Sequence, residues 1–373
     1  MKALDSKIEK VNKLIRQTKT YNSVSLASMA SSNAPTSSKS VLAKTLHLDS
    51  KDTNHTHPHL PGSNNDDKLP TQPYFNKAAY EGFNPLPVNL VLEGGAMRGQ
   101  FSAGVLDYFM EHGLWAKHVI GTSAGALNGY SYVAGDLGRS CYLNTKYCSD
   151  WRYLSMQSFA RTGNAFGAEF AFDTIPNELE PFNYEAFRNS PITLTTVASN
   201  LETGEADYFT FGDPKDDIDY LRASSAMPLI SKTIEIDGKK LLDGGPCDSI
   251  PLLYSVTTGT EKHIVVLTQD ATYIKGPNKL MALIKQRYSE YPLFCERLQH
   301  RHFEYNRQYR HLQRLHNAGV IFVIQPQKPV TVSSMEKDPE KLLALYEQGY
   351  REAAEQWNKI MLYLDSPSKK FFL

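Results

Sequence analysis

The sequence predicts an α/β fold with a mainly parallel central sheet and helices on its faces. Strand-like and helix-like patterns alternate from residue 88 onward, which favours βα units over hairpins. The first strand is a nearly continuous apolar run, as a strand covered on both faces requires. Glycine-rich turns stand where strand passes to helix.

Val88-Asn89-Leu90-Val91-Leu92 is that first strand. After the turn Gly94-Gly95-Ala96-Met97-Arg98-Gly99, the residues Phe101, Val105, Leu106 and Phe109 recur at helical spacing, and Gly113 ends the helix. A strand over 117–120 and a helix over 124–134 complete a βαβα unit. Residues 152–190 are aromatic and irregular, broken by Gly163, Gly167, Pro176 and Pro181. Strands follow at 192–199 and 206–211, joined by a turn at Glu202-Thr203-Gly204-Glu205. Asp237-Gly238 signals a tight hairpin between 233–236 and 239–242. Further strands read at 263–268 and 319–324. Residues 279–317 read as one basic, aromatic helical segment: a solvated helix face, or a surface that meets anionic headgroups. Asp338-Pro339 caps a last helix with proline at its first position, and Leu342, Leu345, Gly349, Ala353 and Ile360 continue its apolar face.

Upstream, residues 19–85 are rich in Ser, Thr, Asn, Asp and Pro. They hold too few large apolar residues to offset ordering entropy, so a disordered N-terminal tail is expected over 1–85. Ile8, Val11, Leu14 and Ile15 share one helical face there, read as a short frayed helix or partner segment in preference to a surface that touches an anionic membrane. His55, His57 and His59 read as bystanders, and no metal site is expected.

Among 373 residues, Lys+Arg and Asp+Glu both number 40, a balance that points to neither nucleic acid nor an acidic partner. The four cysteines lack CxxC spacing and read as reduced core thiols of a cytoplasmic protein. No apolar run approaches the ~18–20 residues of a membrane span, and the first residues lack the apolar stretch of a signal peptide.

Chemistry concentrates in three places. Gly121-Thr122-Ser123-Ala124-Gly125 sits at a strand–helix junction. That arrangement is a nucleophile elbow, in which the flanking Gly121 and Gly125 let strand and helix pack closely around an exposed Ser123 hydroxyl. The loop Gly94–Gly99 is not a nucleotide site: it lacks the Lys-Ser/Thr of a P-loop, and the second glycine of a dinucleotide fingerprint would fall on Ala96. As an oxyanion hole it needs only backbone N–H groups close to a developing negative oxygen. Arg98 there anchors the loop, supports that charge, or is a surface residue at a helix start. A serine also needs a base. His263 stands at the wrong edge of the sheet, and His300, His302, His311 and His316 lie in the basic segment. Asp243, fixed by the turn Gly244-Gly245, follows a strand directly and is the candidate.

These residues resemble the patatin-like phospholipase family, whose pattern is a Gly-rich oxyanion loop with Arg or Lys, GxSxG, and a late DGG or DGA. Arg222-Ala223-Ser224-Ser225-Ala226-Met227-Pro228 also resembles that family's segment at this place. The similarity covers about residues 88–255, and the rest is similar to bacterial patatin-like proteins with a C-terminal helical extension. The resemblance implies a three-layer α/β/α fold and a Ser–Asp dyad of Ser123 and Asp243. It also implies oxyanion donors from Gly94–Gly99 beside Ala124, no metal or cofactor, and hydrolysis of lipid acyl esters. A catalytic domain is then expected over 86–257 and an α/β extension over 258–373, completing the sheet and adding helices. Ala96 departs from the pattern, where a third glycine is usual. If that position needs positive φ, alanine carries a cost. An acyltransferase, a thioesterase and a lipid-binding protein without turnover are the alternatives. Partners are expected to be a lipid ester and, peripherally, a membrane surface, with no nucleic acid or nucleotide.

Overall fold

The computed structural model describes residues 85–371 and the two-residue strand Tyr74–Phe75. The tail expected over 1–85 otherwise lies outside the described residues.

Eight strands form one sheet: β1 (Leu86–Leu92), β2 (Ala116–Thr122), β3 (Thr193–Asn200), β4 (Ala206–Thr210), β5 (Ile234–Ile236), β6 (Lys239–Asp243), β7 (Lys262–Val266) and β8 (Phe322–Ile324). The spatial order is β8-β7-β1-β2-β3-β6-β5, with β4 also paired to β3. Pairing is parallel from β8 through β3 and antiparallel for β4, β5 and β6. β1, β2 and β3 lie inside the sheet, and their apolar runs follow from burial on both faces.

Ten helices are used below: α1 (Gln100–Glu111), α2 (Ala124–Val133), α3 (Arg139–Tyr147), α4 (Met156–Thr162), α5 (Tyr184–Asn189), α6 (Ile218–Ser225), α7 (Leu252–Thr257), α8 (Met281–Arg287), α9 (Pro292–Asn317) and α10 (Pro339–Asp365). Two layers of them enclose the sheet. On one face α2 lies so close that a Cβ on Gly129 would meet Val119, Leu194 and Leu92. On the other, Tyr305, Tyr309, Leu312 and Leu315 of α9 join Val91, Val265 and Val323 in one apolar cluster. Successive strand residues point to opposite faces, so Val91 and Leu92 feed different layers. The architecture is three-layer α/β/α.

The structure departs from the sequence reading in two places. The segment 279–317 is two helices rather than one, because Pro292 has no N–H to continue the ladder and Tyr291 before it takes φ −122°, ψ 68°. Within the irregular stretch 152–190, Phe170–Leu179 forms a run of π-helical turns that contains Pro176. Asp243 ends the second strand of the expected hairpin, and that strand runs against the parallel set. The four cysteines are buried and unbridged. No helix among the described residues is long and apolar enough to cross a membrane.

Candidate active site

Ser123 follows β2 and precedes α2 with φ 55° and ψ −121°, a conformation unfavourable for any residue with a Cβ. The neighbours explain how it is held. A Cβ on Gly121 would stand 2.6 Å from the Ala126 nitrogen, and one on Gly125 would stand 2.4 Å from the Leu92 carbonyl. Only glycine at both positions lets α2 start directly against β1 and β2. The strained turn lifts Oγ out of the sheet, and the Ser123 N–H donates to Ser224 Oγ at 2.9 Å.

Asp243 reaches the same level through register. Thr122 lies beside Val197 in β3, and the next β3 residue, Ala198, pairs with Asp243. An antiparallel strand thus carries its last residue to the carboxyl edge of the parallel ones, where such sheets place their sites. Ser123 Oγ donates to Asp243 Oδ2 at 2.6 Å, and both residues are under 10% exposed. Oδ1 accepts from the Gly245 N–H at 2.7 Å. Burial pushes the Asp243 carboxyl above its ordinary value, while the bonds from Ser123 and Gly245 and the charge of Arg301 pull it down.

The segment Arg222–Pro228 braces both partners. Besides Ser224 on the Ser123 amide, the Ala226 carbonyl accepts the Asp243 N–H at 2.8 Å. Ser225 Oγ is buried, has no hydrogen-bond partner among the described residues and lines the cleft in front of Ser123.

The loop Gly94–Gly99 abuts the nucleophile: a Cβ on Gly94 would lie 3.2 Å from Ser123 Cβ. Ala96 takes φ 48°, so this position does require the left-handed region and an alanine occupies it at a conformational cost. The Gly94 N–H is engaged by the Ser249 carbonyl at 3.2 Å. For the N–H groups of Gly95, Ala96 and Ala124, no intramolecular acceptor is found among the described residues. Ala96, Met97 and Ala124 line the cleft with Ser123. Gly99 is fixed from behind by Asn128 Nδ2 on its carbonyl, 2.7 Å away. Arg98 closes the 3-10 turn Ala96–Gly99, its Nε buried and without a partner among the described residues. Gly244 lies against β3, where a Cβ would stand 2.3 Å from the Val197 carbonyl.

The cleft before Ser123 has about 500 Å³ of empty space and shares Leu127, Asn128, Asn144, Tyr153 and Phe166 with a second hollow of about 660 Å³. Phe172, Ile175 and Phe182 wall the second hollow, so the aromatic stretch 153–187 provides much of an apolar passage leading away from the hydroxyl.

The histidines set aside in the sequence lie elsewhere. His263 is buried with Nδ1 at 2.7 Å from Ser255 Oγ, and burial pushes its pKa down to about 4. Sequence reasoning missed Arg297 and Arg301. They turn inward from α9 instead of facing solvent: Arg297 Nη2 donates to the Cys247 carbonyl at 2.6 Å, and Arg301 Nη2 to Ser249 Oγ at 3.2 Å. Their i, i+4 spacing with Tyr305 was the available signal, since it sets them on the same face as a buried tyrosine.

Residues 90–256 match the family model described as patatin-like phospholipase, and residues 291–365 match a domain of unknown function, DUF6363. An uncharacterized protein of Escherichia coli, YjjU, is 26% identical over 265 residues, covering 66% of this chain and 71% of that one. An uncharacterized NTE family protein of Mycobacterium tuberculosis is 29% identical over 165 residues, 44% of each chain. The lysophospholipase NTE1 of Eremothecium gossypii is 32% identical over 177 residues, 44% of this chain and 11% of that much longer one.

Proposed function

We propose, on the match of residues 90–256 to the patatin-like phospholipase model, that the chain is a serine hydrolase of lipid acyl esters working through a Ser123–Asp243 dyad. The observation that carries this is the 2.6 Å bond from Ser123 Oγ to Asp243 Oδ2 on a positive-φ elbow at the head of an apolar cleft.

In the proposed reaction Asp243 accepts the Ser123 proton as Oγ attacks the ester carbonyl carbon. The carbonyl oxygen becomes an oxyanion, stabilised by N–H groups of Gly95 and Ala96 and by the amino end of α2 at Ala124. Collapse breaks the C–O bond, and Asp243 returns the proton to the leaving alcohol. Water then repeats both steps on the acyl-enzyme, releasing a fatty acid and restoring Ser123. A carboxylate in water is a weak base for a hydroxyl, so burial that raises its basicity matters here. The apolar passage toward Phe172 and Phe182 takes the acyl chain. The relative named a lysophospholipase supports a lipid ester as substrate.

Labelling with a fluorophosphonate probe tests the reading. Wild type is expected to label, Ser123→Ala to lose labelling, and Asp243→Asn to label at least about a hundredfold more slowly, the loss typical of a removed general base. No labelling of folded wild type would overturn the proposal.

A further inference from the structure

Helix α9 begins beyond the patatin-like domain and lies in the segment that matches a domain of unknown function. Four of its side chains, Arg297, Arg301, Tyr305 and Gln308, fall within ~80° on one helical face. All four grip the backing of the site. Arg297 holds the Cys247 carbonyl, and Gln308 Nε2 holds the Ile250 carbonyl at 2.7 Å. Tyr305 donates to Glu93 Oε1 at 2.5 Å, directly before the Gly94–Gly99 loop. Arg301 donates to Ser249 Oγ.

Ser249 is the junction. Its hydroxyl donates to the Gly245 carbonyl at 2.7 Å, and its own carbonyl accepts the Gly94 N–H. One serine therefore ties the turn beneath Asp243 to the start of the oxyanion loop, with the Arg301 guanidinium bonded to it from α9. That guanidinium also comes close to Asp243 itself. A Cβ on Gly245 would stand 2.8 Å from Arg301 Nη2 and 3.0 Å from Asp243 Oδ1, so glycine there leaves the space between them free.

We infer that Arg301 is a positioning residue for the dyad: from α9 it orients the Asp243 turn through Ser249 and sets a positive charge beside the carboxylate. The inference rests on the dyad proposed above. Among the described residues Arg301 Nε finds no hydrogen-bond partner and no carboxylate forms an ion pair with Arg301. Arg301 is partly buried, and a cation without an ion-pair partner leaves its field to act on the nearest standing carboxylate. Other charged groups around α9 are occupied. Glu93 is held by Tyr305 and Thr268, Asp248 by Tyr208 and Gln308, and Arg297 pairs with Glu304. Lys275 lies near Glu93 and Arg301, and Arg222 on α6 pairs with Asp219. The charge that acts on Asp243 is Arg301, favouring its ionised form.

The test uses the full chain as wild type, Arg301→Met, Arg301→Lys and, as a control on the exposed face of α9, Arg310→Met. Two readouts are taken: kcat/KM against pH on a soluble p-nitrophenyl ester, and the ¹³C carboxyl titration of Asp243, assigned by its loss in Asp243→Asn. Arg301→Met is expected to lower kcat tenfold or more and raise the Asp243 midpoint by about one pH unit, with KM little changed. Arg301→Lys is expected to restore the midpoint but not all of kcat, because an ammonium keeps the charge without the fork. Arg310→Met should match wild type. A folded Arg301→Met with the wild-type midpoint would overturn the inference. If that variant does not fold, Arg301→Lys decides, and wild-type kcat there overturns it equally. A wild type without Ser123-dependent turnover would instead sink the dyad, while the titration still reports whether Arg301 acts on Asp243.

Discussion

At the scale of single residues, the site is built from conformations and charges that a free chain avoids. Ser123 and Ala96 both have positive φ without being glycine. Ser123 needs its side chain for the chemistry, whereas nothing in the structure requires the Ala96 methyl. Ala96→Gly is therefore expected to stabilise the fold by about 1 kcal/mol, since the left-handed region is unfavourable for alanine. A urea unfolding series measures this, and an unchanged or lowered midpoint would count against strain at Ala96. Asp243 has a second consequence. Its carboxyl is raised by burial and must be ionised to accept a proton. Activity is expected to fall as pH drops through a midpoint above the ordinary ~3.9 of aspartate. A kcat/KM profile with its acid limb at or below that value would contradict the assignment.

At the scale of elements, a late helix braces an early one. α10 packs on α1 through glycines: a Cβ on Gly349 would stand 2.0 Å from the Phe101 carbonyl, and one on Gly104 would stand 2.0 Å from the Tyr346 carbonyl. The helices touch backbone to backbone, and α1 is the direct continuation of the Gly94–Gly99 loop. Gly349→Val would force them apart and is expected to cost about 1–3 kcal/mol, the usual range for overpacking. Because the displaced helix carries the loop, activity should fall as well. The cap of α10 offers a milder contrast. Asp338 accepts the N–H groups of Glu340 and Lys341, and Asp338→Ala should cost about 1 kcal/mol without touching the site. Thermal melts and esterase assays of both variants separate the two effects. Equal activity in Gly349→Val would show that the loop does not depend on this crossing.

At the scale of the whole molecule, burial sets the response to pH. Asp107, enclosed between α1, α10 and the chain before α3, accepts from Tyr346 at 2.9 Å and from the Gly138 N–H at 3.1 Å. Burial raises its pKa to about 7. The folded chain thus keeps a proton that the unfolded chain releases near ~3.9. The associated stability is fully present below that value and is lost as pH rises toward 7. Asp107→Asn removes the titration. The variant is expected to gain on wild type from pH 4 to pH 7 and to run parallel to it above. Urea midpoints at four pH values measure this, and a pH-independent difference would mean that Asp107 ionises as it does in water.

Much of this architecture is legible in the amino-acid sequence. The alternation of apolar runs with helical periodicity specifies a mainly parallel sheet, because each strand must bury both faces and each helix one. The motifs at 94–99, 121–125 and 243–245 mark the elbow and its companions, since the glycines, serine and aspartate that such turns need are local properties of the chain. What stays hidden is what depends on distant segments meeting. Register alone shows that an antiparallel strand brings Asp243 level with Ser123. Packing alone turns Arg297 and Arg301 inward, where the sequence shows only a basic helix. The motif raises the question of a positive φ at Ala96, and only the folded loop answers it. The sequence by itself determined the layer architecture and the residues available for chemistry. The tertiary structure decided which of them meet, because a 2.6 Å bond between residues 120 positions apart is fixed by the sheet that carries them.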